Sequence, residues 1–387
     1  MKSQSSIQEL KEAVIGKGGT YMRKVYIIYQ NFYDFGSKKM TIGGIQTYIR
    51  DLATVCLDIG FEPHIIQPGS EEKKCKLDNI VIEQYIVSNK SQLENYKKEV
   101  VRRISPDEVV IFATDSLIPL KNHFKKSIVI QHGITWDIPI DGARGQIRAF
   151  LSKSKDAYKV IERLHHVQRI ICVDYNFVNW YRTQVDRTFE KLSVIPNYAK
   201  IAPVYHKEDK NVNIIFARRL FTYRGTRVFT AAIKKVLEKF NNVNITIAGS
   251  GPDEKWMKEE LDIFGNVQFI QYDSKDSMRI HSDKHIAVVP TVGSEGTSLS
   301  LLEAMSAQCA VIASDVGGMT NIVIDGFNGL LVSAGSIEQL SKALEDLIQN
   351  PKYRNELAAQ GYETVKKAFS YERWAEKWKY ALTDIAK

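Results

Sequence analysis

Two apolar patterns alternate along the chain. Short runs with no polar face, such as Lys24–Gln30 (K-V-Y-I-I-Y-Q), Ser127–Gln131 and Ile286–Val289 within His285–Thr291, read as strands buried on both faces of a parallel sheet. Pro63–Gln67, Ile80–Val87, Glu108–Ala113, Arg169–Val173, Leu192–Ile195, Asn213–Ala217, Asn244–Ala248, Val267–Tyr272 and Ala310–Ala313 are further strand signals. Helical spacing fills several of the gaps. Ile45, Ile49, Leu52, Ala53 and Cys56 form one stripe, which Gly60 stops, and Val228–Phe240, Ser298–Ala307 and Tyr371–Ile385 are others. The alternation predicts an α/β protein. Pro196 ends a strand and polar sequence follows to about Asn211, which predicts two doubly wound domains, 1–200 and 201–370, with a helix over 371–387.

In an open parallel sheet, ligands sit beyond the carboxyl ends of the strands. Ser294–Met305 (S-E-G-T-S-L-S-L-L-E-A-M) follows such an end and runs into a helix. The free N–H groups of Gly296, Thr297, Ser298, Leu299 and Ser300, with the helix dipole, suit a diphosphate. Glu295 and Glu303, eight positions apart, suit hydroxyl groups on either side of it. A diphosphate between hydroxyl-rich groups is a nucleotide sugar. The same stretch also fits a capping box, Ser300 with Glu303, beside a solvated Glu295. After Asn213–Ala217 the chain reads Arg218-Arg219-Leu-Phe-Thr-Tyr-Arg224, in which two cations five apart, Arg219 and Arg224, suit phosphoryl oxygens. Gly43-Gly44 follows the first strand, and Gly249-Ser-Gly251 follows Asn244–Ala248. His132 ends the Ser127–Gln131 run on the ligand side, where it suits a sugar hydroxyl and Trp136 suits stacking on a ring, with Asp137 and Asp174 as weaker candidates for acceptor contacts.

Glu295-Gly-Thr-Ser-Leu-Ser-Leu-Leu-Glu303 resembles the E-x7-E signature of family 4 retaining glycosyltransferases of the GT-B fold. Arg219-Leu-Phe-Thr-Tyr-Arg224-Gly225 resembles their G-R-L-x-x-x-K-G, with Arg218 where a glycine is usual; the exchange either narrows the loop or adds a surface contact. Gly43-Gly44, His132-Gly133, Val194-Ile-Pro-Asn197 and Gly249-Ser-Gly-Pro252 also match, while Asn321 stands where a glutamate is common. The resemblance implies two Rossmann-like domains facing across a cleft, with the last helix returning to the first. It implies Arg219 and Arg224 on the departing diphosphate, Glu303 on the ribose, Glu295 and His132 on the sugar, and Gln271 and Tyr272 near the base. It implies no metal and no other cofactor, a UDP-sugar or similar donor, and a glycan, lipid-linked or protein acceptor.

The net charge is +8, with basic clusters at Lys97-Lys98, Arg102-Arg103, Lys121–Lys126 and Lys153–Lys159, all in the first half. No aromatic-interleaved basic motif or zinc spacing accompanies them, so nucleic acid is not the expected partner; an anionic membrane surface, or plain solvated helix faces, fit instead. Residues 1–20 are polar and lack a signal-peptide core. Cys56, Cys75, Cys172 and Cys309 are scattered, pointing to reduced thiols in a cytoplasmic protein, peripheral to the membrane if bound to it. A catalytically inactive partner of the same fold, or an epimerase or phosphorylase, stays open as an alternative.

Overall fold

The computed structural model describes residues 23–387 apart from 42, 88–91, 135–145, 186–188, 204, 206, 208–209, 274–275 and 294. Trp136 and Asp137 lie outside the described residues.

The first domain runs β1 (Lys24–Ile28), α1 (Gly44–Asp58), β2 (Glu62–Gly69), β3 (Lys73–Leu77), β4 (Ile80–Ile86), α2 (Gln92–Arg103), β5 (Val109–Phe112), β6 (Lys126–Gln131), α3 (Gln146–Leu164), β7 (Arg169–Cys172), α4 (Tyr175–Gln184) and β8 (Leu192–Val194). Its sheet order is β8-β7-β6-β5-β1-β2-β4-β3. All neighbours are parallel except β3, which pairs antiparallel with β4 at the edge. The strand β3 was not among the expected ones. Its K-K-C-K-L offers only two apolar residues, too few to stand out from a charged loop.

The second domain runs β9 (Val212–Ala217), α5 (Thr226–Lys239), β10 (Val243–Ala248), α6 (Glu254–Leu261), β11 (Val267–Ile270), α7 (Ser277–His281), β12 (Ile286–Val289), α8 (Leu299–Ser306), β13 (Ala310–Ser314), β14 (Leu330–Val332), α9 (Ile337–Gln349), α10 (Pro351–Ala368) and α11 (Tyr371–Ala386). Its all-parallel sheet has the order β11-β10-β9-β12-β13-β14. The turn before β14 closes through Gly326 N–H on the Gly329 carbonyl and delivers a parallel edge strand. Separate apolar clusters cover the two faces of each sheet, which is why these strands carry no polar side.

Each sheet has a topological switch point. From β1 the chain first goes to β2 and β4, then returns to β5 on the other side; from β9 it goes to β10 and β11, then returns to β12. Adjacent strands that lead in opposite directions open a crevice at their carboxyl ends. The β9/β12 crevice receives Arg218 and the loop after Val289.

The last helix, α11, packs on the first domain. Trp374, Trp378, Ala381 and Leu382 join its core, and Trp378 Nε1 donates to the Tyr48 hydroxyl at 2.8 Å. The two chain crossings between domains lie side by side. Ala199 N–H donates to the Phe369 carbonyl at 2.9 Å, and Tyr371 N–H to the Ala199 carbonyl at 3.1 Å.

Candidate active site

The loop after β12 folds back over the carboxyl end of β9. There Glu295 Oε2 accepts from Arg218 Nη2 at 2.5 Å, from Arg224 Nη1, and from the Thr291 hydroxyl at 3.0 Å. Arg218 also donates to the Thr291 hydroxyl. The side chains are 5% (Arg218), 11% (Glu295) and 19% (Arg224) exposed, so this is a cluster of two cations and one anion largely removed from water. Burial works to raise the Glu295 carboxyl, but Arg218 and then Arg224 outweigh it and hold it below the usual carboxylate range. Burial draws the Arg218 guanidinium down despite Glu295. For Arg224 burial also acts downward, and Glu295 overcomes it.

In the free protein these residues are arranged as follows. Arg218 is a buried partner of Glu295 rather than a surface contact. Arg219 is exposed, with its guanidinium 5.6 Å from the Phe221 ring centroid. Its charge reaches the first domain, where burial raises the Tyr29 phenol and Arg219 opposes that rise. Arg219 and Arg224 thus do not form a matched pair in the free protein. Glu295, expected to be open toward sugar hydroxyls, is held by Arg218 and Arg224.

Supporting residues fix the arginine loop. Asp253 accepts from the Thr222 hydroxyl at 2.9 Å and from the Thr226 hydroxyl, tying the start of α5 to the Gly251-Pro252 turn. Gly249, at φ +139°, lies against Arg218: a Cβ there would come 2.1 Å from the Arg218 carbonyl oxygen. Only glycine permits both that backbone and that approach.

The start of α8 meets the first domain. A Cβ on Gly296 would lie 2.8 Å from the His132 carbonyl oxygen. The Thr297 hydroxyl donates to the Val173 carbonyl, and Asn197 Nδ2 donates to the Thr297 carbonyl at 2.5 Å. A Cβ on Gly44 would lie 3.2 Å from Leu299 Cδ1, so the Gly43-Gly44 turn faces the same helix start. Asn321 Oδ1 accepts from Tyr175 N–H at 3.0 Å across the seam. Asp174, a weak acceptor candidate, caps α4 through Phe177 N–H at 2.9 Å.

The capping box is absent. Ser298 is the N-cap, and its hydroxyl lies 3.2 Å from that of Ser300. Glu303 accepts instead from the Ser277 hydroxyl at 2.7 Å. With no cation among the described residues to offset it, burial pushes the Glu303 carboxyl up to about 7. Tyr272 stands between the two clusters: burial raises its phenol, Glu303 adds to the rise, and Arg218 opposes it. Gln271 is exposed at the end of β11. His132 is held neutral by burial, at about 4, with its Nε2 2.9 Å from the Ala113 carbonyl oxygen. That contact places the proton on Nε2 and leaves Nδ1 as an acceptor.

Residues 198–364 match the family model of the glycosyl transferases group 1. The second domain is a group 1 glycosyltransferase domain. This glycosyltransferase is 24% identical over 348 residues to a phosphatidyl-myo-inositol mannosyltransferase of Mycolicibacterium smegmatis, covering 84% of this chain and 86% of that one. It is 27% identical to the capsular polysaccharide biosynthesis glycosyltransferase CapM of Staphylococcus aureus, over 47% of this chain and 48% of that one. Among solved structures, S. aureus TarM with UDP, Fondaparinux and alpha-GlcNAc-glycerol superposes with a TM-score of 0.73 at 13% identity, covering 93% of this chain and 99% of that one. Anabaena HepE with UDP-glucose superposes with a TM-score of 0.71 at 14% identity and the same coverage. The glycosyltransferase has the GT-B fold.

Sequence reasoning missed Arg218, Thr291 and Ser277 as members of this region. Arg218 and Thr291 carried a usable signal, since each follows a buried strand at the switch point. Ser277 carried none, because only the fold brings it to Glu303.

Proposed function

We propose that the enzyme moves a sugar from a nucleoside diphosphate sugar to a hydroxyl acceptor with retention of anomeric configuration. The observation that carries this reading is the Arg218–Glu295–Arg224 cluster beside the start of α8. Two guanidiniums against one carboxylate leave surplus positive charge where a departing diphosphate needs it. Arriving diphosphate competes with Glu295 for Arg224, while Arg218 keeps that carboxylate paired. Arg219, exposed toward the cleft, adds a second cation, and the Gly296–Leu299 N–H groups complete the anion site. Guanidinium charge then does the work of a metal. Glu303 accepts the ribose hydroxyls, and Gln271 and Tyr272 border the base. Gly43, Gly44 and Gly249 let backbone approach the ligand, and His132 Nδ1 accepts from a sugar hydroxyl.

In the transfer, the bond from the anomeric carbon to the diphosphate oxygen breaks. A bond to the acceptor oxygen forms on the same face, and the acceptor proton passes to a diphosphate oxygen. The UDP and UDP-glucose bound in the superposed structures favour a uridine donor. The relatives' activities favour a cell-surface glycan or lipid-linked acceptor. No described helix is long and apolar enough to cross a membrane, and the basic first half supports peripheral attachment to its inner face.

A thermal-shift series with UDP, GDP, ADP and dTDP tests the donor reading, because a ligand of the folded state raises its melting point. UDP is expected to give the largest rise; no rise with any of the four would refute the site. An inverted anomeric product, read by NMR, would refute retention. Nucleotide binding without donor hydrolysis would mark an inactive partner of the same fold.

A further inference from the structure

Among the described residues, helix α3 is anchored at its carboxyl half. Val160 and Leu164 are buried in the domain, and Arg163 pairs with Asp115 at 3.0 Å. From 147 to 159 no residue is buried. Ile147, Phe150, Leu151 and Tyr158 are 77%, 69%, 60% and 66% exposed. At about 100° per residue they share an arc of about 100°. Arg148, Lys155 and Lys159 border that arc, and Asp156, the one acid between 147 and 159, lies on the far side. Large apolar side chains gathered in water mark an interaction surface.

We propose that this face of α3 docks on anionic lipid headgroups, seating Ile147, Phe150, Leu151 and Tyr158 in the membrane interface. The assignment rests on the peripheral-membrane reading above and adds where the contact is made. Apolar side chains bordered by Lys and Arg match the chemistry of an anionic bilayer surface, where tails meet negative headgroups. A second copy of the chain matches it poorly, because a twofold contact sets the patch against itself and brings its basic border onto a like one. Topology fixes the orientation. β6 and β7 are parallel neighbours, so the helix joining them starts at the carboxyl edge of the sheet and runs back. The uncovered half of α3 therefore lies toward the edge that carries His132 and the cleft. A bilayer docked there borders the cleft mouth, so the acceptor class that fits is a hydroxyl carried by a lipid-anchored molecule.

Flotation of the full chain with phosphatidylcholine vesicles, with and without phosphatidylglycerol, tests this. The protein should float with the anionic vesicles only, and less so in high salt. Phe150→Ser with Leu151→Ser, and separately Arg148→Glu with Lys155→Glu, should each reduce the bound fraction about tenfold or more. Melting point and donor hydrolysis in solution should not change, since these residues are neither buried nor at the site. Wild-type protein that stays unbound would overturn both the peripheral reading and the surface. Binding that survives in both variants would overturn the surface alone. Equal flotation with neutral vesicles would overturn the headgroup assignment. A dimer that the Phe150/Leu151 variant dissociates, with vesicle binding intact, would make the face a contact between copies and overturn the proposal.

Discussion

Glu303 offers a quantitative test of the donor site. Its carboxyl is raised to about 7 by burial, with the Ser277 hydroxyl opposing. Two ribose hydroxyls donating to it would stabilise the anion and return it toward its ordinary 4.5. Restoring it fully is worth about 3.4 kcal/mol, a ceiling of about 300-fold in affinity. The linkage has a definite sign. Below about pH 4.5 the carboxyl is protonated with or without donor, so its contribution is absent; it grows as pH rises and is complete above about 7. Between pH 5 and 8 the donor affinity should therefore rise by up to about 70-fold. An intact nucleotide sugar is the right probe, because its diester diphosphate does not titrate in that window. His132 and His281, each lowered to about 4 by burial, do not titrate there either. Titration calorimetry at several pH values measures the slope, with Glu303→Gln as the control, which should bind weakly and without pH dependence. A flat wild-type profile, or the same slope in the glutamine variant, would show that Glu303 does not touch the ribose. The same shift bears on the unliganded fold, whose stability should fall as pH rises from about 4.5 to 7, since folding holds the Glu303 proton more tightly than the unfolded chain does.

Other expectations follow from neighbouring residues. Arg224→Ala should lower kcat by about 10²- to 10³-fold, and wild-type turnover would remove Arg224 from the diphosphate. Arg218→Gly should cost on the order of 2 kcal/mol in urea unfolding, because Glu295 keeps only one buried cation; an unchanged midpoint would mean the pair contributes nothing. Trp378→Ala should cost about 3–5 kcal/mol, combining a large cavity with the lost partner of the Tyr48 hydroxyl, and a loss under 1 kcal/mol would contradict the packing of α11.

The second sheet was legible in the sequence because β9, β10, β12 and β13 are buried on both faces and leave unbroken apolar runs. Helices α9 and α10 were passed over, although Ser336 as N-cap and Asn350-Pro351 as N-cap and first-turn proline signal both starts. The active-site stretch was found by position, at the carboxyl end of a buried strand. Its internal pairing was hidden, since Glu295 meets Arg218 and Arg224 only through the approach of β12 to β9, more than seventy residues apart in sequence. The role of Arg218 ran against its motif, which keeps a glycine there and gives no hint of a buried cation.

The paired crossings at Ala199 and Phe369–Tyr371 limit how the halves of this enzyme can move and be taken apart. Two adjacent tethers, laced by main-chain bonds, define a pivot, so opening and shutting is a swing about that line rather than a drift. One protease nick near residue 205 leaves the lobes joined through the other tether. Residues 1–200 expressed alone would lack the tryptophans of α11 and present bare apolar surface to water. The amino-terminal lobe completes its core only once α11 has been synthesised.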